Sequence, residues 1–228
     1  MTEEKKENKL LQGEYHSLFQ EVVDEKRETK EIDNKSHTVI IPKFTKFRFF
    51  ITSFHDNEKG LHAIFNTLWT ASENDTLELR INSHGGSVKE GKQIAHIIKN
   101  KFFGRTTTIL DSCGYSMGAL TFCLGDERIV TEYSDLMFHD YSGWSCGKGQ
   151  EIESEVEHNK KHIREFFKKI IVGSNFLTAD EFKHLLIGKD YWMDATEMCR
   201  RGIATHILID GKKIKAKKYL KQLKKAKL

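Results

Sequence analysis

Several signatures are missing from this chain, and each absence closes a class of function. No two of its four cysteines (Cys113, Cys123, Cys146 and Cys199) stand as a C-x-x-C pair, which reads as a cytoplasmic protein with reduced thiols. No H-E-x-x-H occurs. His158 and His162 stand four residues apart on a charged segment, a spacing that can hold a metal, but no third ligand accompanies them and no metal is expected. There is no G-x-x-x-x-G-K-[ST], so the chain is expected to carry no nucleotide engine of its own. No apolar stretch lies near its start, so no signal peptide is expected. No run approaches the ~18 apolar residues of a membrane span.

What is present is charge. The 228 residues are 31% charged and 38% hydrophobic, on either side of the globular averages. They suit one folded domain with charged ends, or at most two small domains. We divide the chain into an N-terminal arm (1–37), a core domain (38–210) and a lysine-rich tail (211–228). In the arm, Leu10, Leu11, Tyr15, Leu18, Phe19 and Val22 recur at roughly helical spacing and predict a short amphipathic helix. The tail, "GKKIKAKKYLKQLKKAKL", contains no acid. A basic patch can bind nucleic acid or an anionic membrane. The tail reads first as solvated and partly helical, so neither contact is expected. Ile214, Tyr219, Leu220 and Leu223 would dock part of it on a neighbour.

Between the ends, strand and helix patterns alternate. "FRFFITSF" (47–54), "DTLELRINS" (75–83), "GRTTTILD" (104–111), "ERIVTE", "DLMFHD" and "THILI" read as strands. Residues 61–72, 89–100, 116–125, 150–173, 178–187 and 194–202 read as helices. Alternation at this spacing implies crossover connections and an α/β fold.

Two glycine-bearing turns follow strands and open helices: "INSHGGSV" (81–88) and "DSCGYSMGAL" (111–120). The second is a literal G-x-S-x-G around Ser116. A serine at a helix start faces unpaired backbone N–H groups and the positive end of the helix dipole. Strand ends of an α/β sheet converge on one rim, so the Gly85–Gly86 turn should meet Ser116 there. His139, at the end of another strand, is the expected base, with His84 as a rival. For the acid, Asp140 follows His139 directly and should point to the opposite face. Asp194 opens "DATE" and should cap a helix. Asp190 remains free to orient the imidazole.

These residues resemble the proteolytic subunit of the Clp protease from Phe47 to Ile209. "LRINSHGGSVKEG" is similar to that family's "INSPGGSV" loop and "CGYSMGAL" to its "AASMGA" turn. "SDLMFHDYSGWSCGKGQEIE" and "GKDYWMDATEMCRRGIATHIL" resemble two further segments, in family order. The resemblance implies a Clp-protease- and crotonase-like spiral of repeated β-β-α units. It assigns Ser116 as nucleophile, His139 as general base, Asp190 as acid, and the Gly86 and Met117 N–H groups as the oxyanion hole.

It further implies stacked rings with an inner chamber, an AAA+ unfoldase partner that uses the ATP, unfolded polypeptide as substrate, and no cofactor in this chain. The sequence departs from the family at His84, where a proline is usual, at Cys113-Gly114-Tyr115 and at Asp140. Other readings are a virus-encoded or accessory ring subunit of restricted or self-directed cleavage, a crotonase-like acyl-CoA enzyme, and an α/β-hydrolase esterase pairing Ser116 with His206.

Overall fold

The computed structural model describes residues 9–12, 16–23, 26–32, 35–41, 44–55 and 61–226, with side chains almost entirely from residue 44 onward. The centre is a parallel ladder: β5 (Phe44–Ile51), β6 (Thr76–Ser83), β7 (Thr106–Tyr115), β8 (Glu127–Thr131) and β11 (His206–Ile209). Helices α1 (Leu61–Trp69), α2 (Val88–Lys101) and α3 (Met117–Phe122) make the crossovers, as parallel neighbours require.

In β6, the alternation Leu77-Glu78-Leu79-Arg80-Ile81 sorts the two faces. Leu77, Leu79 and Ile81 are buried with Leu68 and Phe65 of α1 and Ile94 and Ile97 of α2 in one apolar cluster. On the other face Glu78 takes Lys46 Nζ at 2.8 Å and Arg48 Nε at 2.6 Å, and Arg80 pairs with Asp111. Burial alone would raise the Glu78 carboxyl; its two cationic partners outweigh it and hold the group below the ordinary carboxylate value.

Two short strands branch from this ladder. β9 (Asp135–Phe138) runs parallel to the last turns of β7, Tyr115 opposite Met137. β10 (Tyr191–Asp194) runs antiparallel to β9, Tyr191 opposite Phe138 and Trp192 opposite Met137. The remaining helices are α4 (Gly149–Ile171), α5 (Ala179–Leu185) and α6 (Ala195–Arg200).

The helix expected over residues 10–22 is not formed. β1 (Lys9–Gln12) and β2 (His16–Val23) are antiparallel strands, and β2 pairs along its whole length with β5. Tyr15 lies outside the described residues. A further antiparallel pair, β3 (Lys26–Ile32) with β4 (Lys35–Ile41), forms its own sheet. The hydrogen bonds of β2 come from a strand some thirty residues on, a partner that local periodicity does not reveal.

The lysine tail is docked rather than free. β12 (Lys212–Lys215) pairs antiparallel with β11, and α7 (Ala216–Ala226) follows it. The Tyr219 hydroxyl lies 3.1 Å from Thr196 Oγ1, and Ile214, Tyr219 and Leu220 pack against the core. As an edge strand, β12 presents Lys212, Lys213 and Lys215 to solvent, a charge pattern that discourages further strand addition.

Candidate active site

β7 runs straight to Tyr115, so the segment expected as a loop before Ser116 is strand. The chain turns at one residue. Ser116 has φ 55° and ψ −122°, a conformation that costs a non-glycine residue about 1–3 kcal/mol. It is imposed from both sides. The Ser116 N–H donates to Met137 O at 3.0 Å, and Ser116 O accepts from Leu120 N–H at 3.1 Å as α3 begins. The side chain makes no capping hydrogen bond, so its hydroxyl is left for chemistry.

The second glycine turn packs directly on this one. Gly85 and Gly86 have φ +101° and +139°, conformations side chains rarely adopt. A Cβ on Gly85 would lie 2.7 Å from Ser116 Cβ, 2.9 Å from Tyr115 O and 3.1 Å from Met117 N. The Gly86 turn is held by Phe54, whose N–H donates to Gly85 O at 3.0 Å and whose carbonyl accepts from Ser87 N–H at 3.1 Å. Neither the Gly86 N–H nor the Met117 N–H donates a hydrogen bond among the described residues. Two unpaired amides thus adjoin the serine.

His139 directly follows Phe138 at the end of β9, and Asp190 directly precedes Tyr191 at the start of β10. Phe138 and Tyr191 are ladder partners. An antiparallel ladder continued by one residue would set Asp190 opposite His139. Ser116, His139 and Asp190 therefore sit on three adjacent strand ends at one rim. Among the described residues, no hydrogen bond joins their side chains. Ser116 and His139 are half-buried, and Asp190 is exposed.

The competing carboxylates are engaged. Asp140 pairs with the Arg164 guanidinium of α4, and Asp194 caps α6, accepting from Glu197 N–H at 2.6 Å. His206 is remote. It lies level with Ile129 and so with Ile109, seven residues below Ser116 along β7 or about 23 Å at strand rise. Its Nδ1 is 3.3 Å from Glu127 Oε1 and 3.0 Å from Thr205 Oγ1. The esterase pairing of Ser116 with His206 is thereby excluded.

Cysteine is a poor rival nucleophile here. Burial pushes the Cys123 thiol up to about 12 and the Cys199 thiol to about 11. Burial, then the Asp135 charge, raises Cys113, which removes thiolate at neutral pH.

The sequence marks Tyr115 only as a departure from the family pattern, and Trp192 and Asp135 carry no motif. The Tyr115 hydroxyl donates to Asp135 Oδ2 at 2.8 Å. That bond, with burial and the carboxylate charge behind it, pushes the phenol up to about 12. The Tyr115 ring lies 5.2 Å from the His84 ring and 5.0 Å from the Trp192 ring. The aromatic residue beside the serine was the available signal.

A serine held at positive φ between a strand and a buried helix, facing a glycine turn with free amides, is the layout of a serine hydrolase in an α/β fold. Comparison with known proteins narrows the class. Residues 34–210 match the Clp protease family. The chain is also 27% identical, over 204 residues, to the ATP-dependent Clp protease proteolytic subunit of Cyanophora paradoxa, covering 85% of this chain and 98% of that protein. The chain belongs to the Clp protease family and has its α/β fold; it is a Clp-type serine protease in general class.

Proposed function

We propose that the protein is a serine endopeptidase that hydrolyses peptide bonds of unfolded polypeptides through Ser116, His139 and Asp190. The observation that carries this reading is the convergence of three adjacent strand ends on one rim beside the Gly85–Gly86 turn. The Ser116 hydroxyl attacks the scissile carbonyl as His139 takes its proton, and Asp190 fixes the imidazole tautomer and stabilises the imidazolium. The Gly86 and Met117 N–H groups hold the oxyanion, each worth about 3 kcal/mol in the transition state. His139 then protonates the leaving amine, and water attacks the acyl-serine by the same base.

The family supports a ring assembly with the sites facing an inner chamber, fed by a separate AAA+ unfoldase that spends the ATP. No cofactor enters this chemistry, and the work is cytoplasmic. No helix among the described residues is long and apolar enough to cross a membrane. The glycine-rich segment 142–149, which follows β9 and runs up to the first residue of α4, forms no strand within the chain. It is the edge on which a substrate backbone would add as a strand, giving low sequence selectivity along most of its length.

A fluorophosphonate probe tests the nucleophile. Wild type is labelled at Ser116 and degrades an unfolded polypeptide, Ser116→Ala does neither, and His139→Ala loses labelling by at least about a hundredfold. Equal labelling of wild type and Ser116→Ala would remove Ser116 from the role.

A further inference from the structure

Tyr115, Met137 and Trp192 occupy one row across β7, β9 and β10, and residues opposite one another in a ladder share a face. His84 extends the row from the glycine turn, giving three aromatic rings spaced 5.2 and 5.0 Å apart. The row lies beside the nucleophile: Tyr115 precedes Ser116, and His84 precedes Gly85. It also shares a face with the other two candidate catalytic residues, since His139 is two residues from Met137 and Asp190 two from Trp192. Trp192 is 58% exposed, in a strand whose neighbouring side chains Tyr191 and Met193 are buried. The indole is therefore outside the core and open to a ligand.

The charged residues that flank Trp192 in the ladder are all acidic. On the face of Trp192 lie Asp190 and Asp194 on its own strand and Asp135 diagonally across, the last holding the Tyr115 hydroxyl. No lysine or arginine pairs with these three carboxylates among the described residues. Lys189, the nearest basic residue in sequence, turns instead over the Tyr191 ring at 5.0 Å. Tryptophan is the strongest of the aromatic residues in attracting a cation, and a planar guanidinium stacks on it best.

We propose that His84, Tyr115 and Trp192 form a substrate subsite that takes a basic side chain, arginine ahead of lysine, from a residue flanking the scissile bond. The subsite rests on the peptidase reading for its use, but its binding is measurable without cleavage. The probe is a series of fluorescent extended decapeptides, identical except for Arg, Lys, Leu, Phe or Glu at the centre. Binding to the full-length Ser116→Ala protein is followed by anisotropy.

The expected order is Arg, then Lys, above Leu and Phe, with Glu weakest. Adding Trp192→Ala weakens the Arg peptide by about five- to tenfold and leaves the Glu peptide within twofold. Trp192→Phe recovers part of the loss, which separates the stacking surface from a folding defect. A ranking with Leu or Phe on top, no ranking at all, or an Arg advantage untouched by Trp192→Ala overturns the subsite. Failure of wild type to be labelled at Ser116 would instead overturn the peptidase reading and leave the binding result standing.

Discussion

At the scale of single residues, the site depends on what is missing at position 85. Ala at this position would need φ +101° and would set its Cβ against Ser116 Cβ and the Tyr115 carbonyl. The backbone on both sides is already hydrogen-bonded and cannot retreat far. We expect Gly85→Ala to cost about 2–4 kcal/mol in urea unfolding and to reduce fluorophosphonate labelling of Ser116 more than tenfold. Gly104→Ala is the control. It also has positive φ, +74°, but nothing lies within 4 Å of its added Cβ. It should cost about 1 kcal/mol and leave labelling unchanged. If the two substitutions behave alike, the close packing of the two turns is not what shapes the site. Ser116 and its glycines were legible because spacing alone marks a strand–turn–helix. The proximity of His139 and Asp190 rests on β9 and β10, two four-residue strands. β10 lies in a stretch whose pattern reads as loop, so that adjacency came from family resemblance and not from periodicity.

At the scale of elements, the strands and helices of the central ladder were readable because each carries its own period. β6 alternates, α2 has its Ser87 cap accepting from Lys89 N–H, and α5 has a full Thr178–Glu181 capping box. β2 was not readable. Its apolar residues suit a helix as well as a strand, and the deciding partner, β5, is distant in sequence.

One tie between elements carries a pH signature. Arg201, at the end of α6, bonds Glu181 of the α5 capping box at 2.8 Å and Glu197 at 2.8 Å. The Arg201 hydrogen bond is the main reason that the Glu181 carboxyl falls from 4.5 to about 2. A carboxyl depressed on folding contributes stability above its unfolded value and loses it as pH falls toward the folded value. Stability from this tie is therefore full well above pH 4.5 and is lost progressively as pH falls through about 2. Arg201→Met should flatten the loss of stability across that window in acid titration followed by circular dichroism. Its cost at pH 7 should be on the order of 1 kcal/mol, because the pair is partly exposed. An unchanged acid slope would show that Glu181 gains nothing from Arg201.

At the scale of the whole molecule, the described residues leave the earlier turns of a long helix without a buried face. α4 spans Gly149–Ile171, yet its buried residues are only Phe167, Ile170 and Ile171, all in the last two turns. Its earlier turns carry Val156, 46% exposed, and the segment before it carries Trp144, 86% exposed. Helical stability in proteins comes mainly from packing one face against a partner, and exposed large apolar groups mark where partners sit. Residues 140–148 join His139 to this helix, so a partner that covers α4 would also constrain the base. A second copy of the chain is the partner the family favours. The side chains of Ser116, His139 and Asp190, which no hydrogen bond joins within one chain, would then close into a working set on assembly. Sedimentation and peptidase assays over a shared dilution series test this. Activity per chain should fall in the same concentration range in which particle mass falls. Val156→Glu should move both transitions to higher concentration, by at least about tenfold, with helix content unchanged by circular dichroism. Activity per chain that holds constant while mass falls would mean that each protomer carries a complete site. A mass unaffected by Val156→Glu would mean that this face of α4 is not where copies meet.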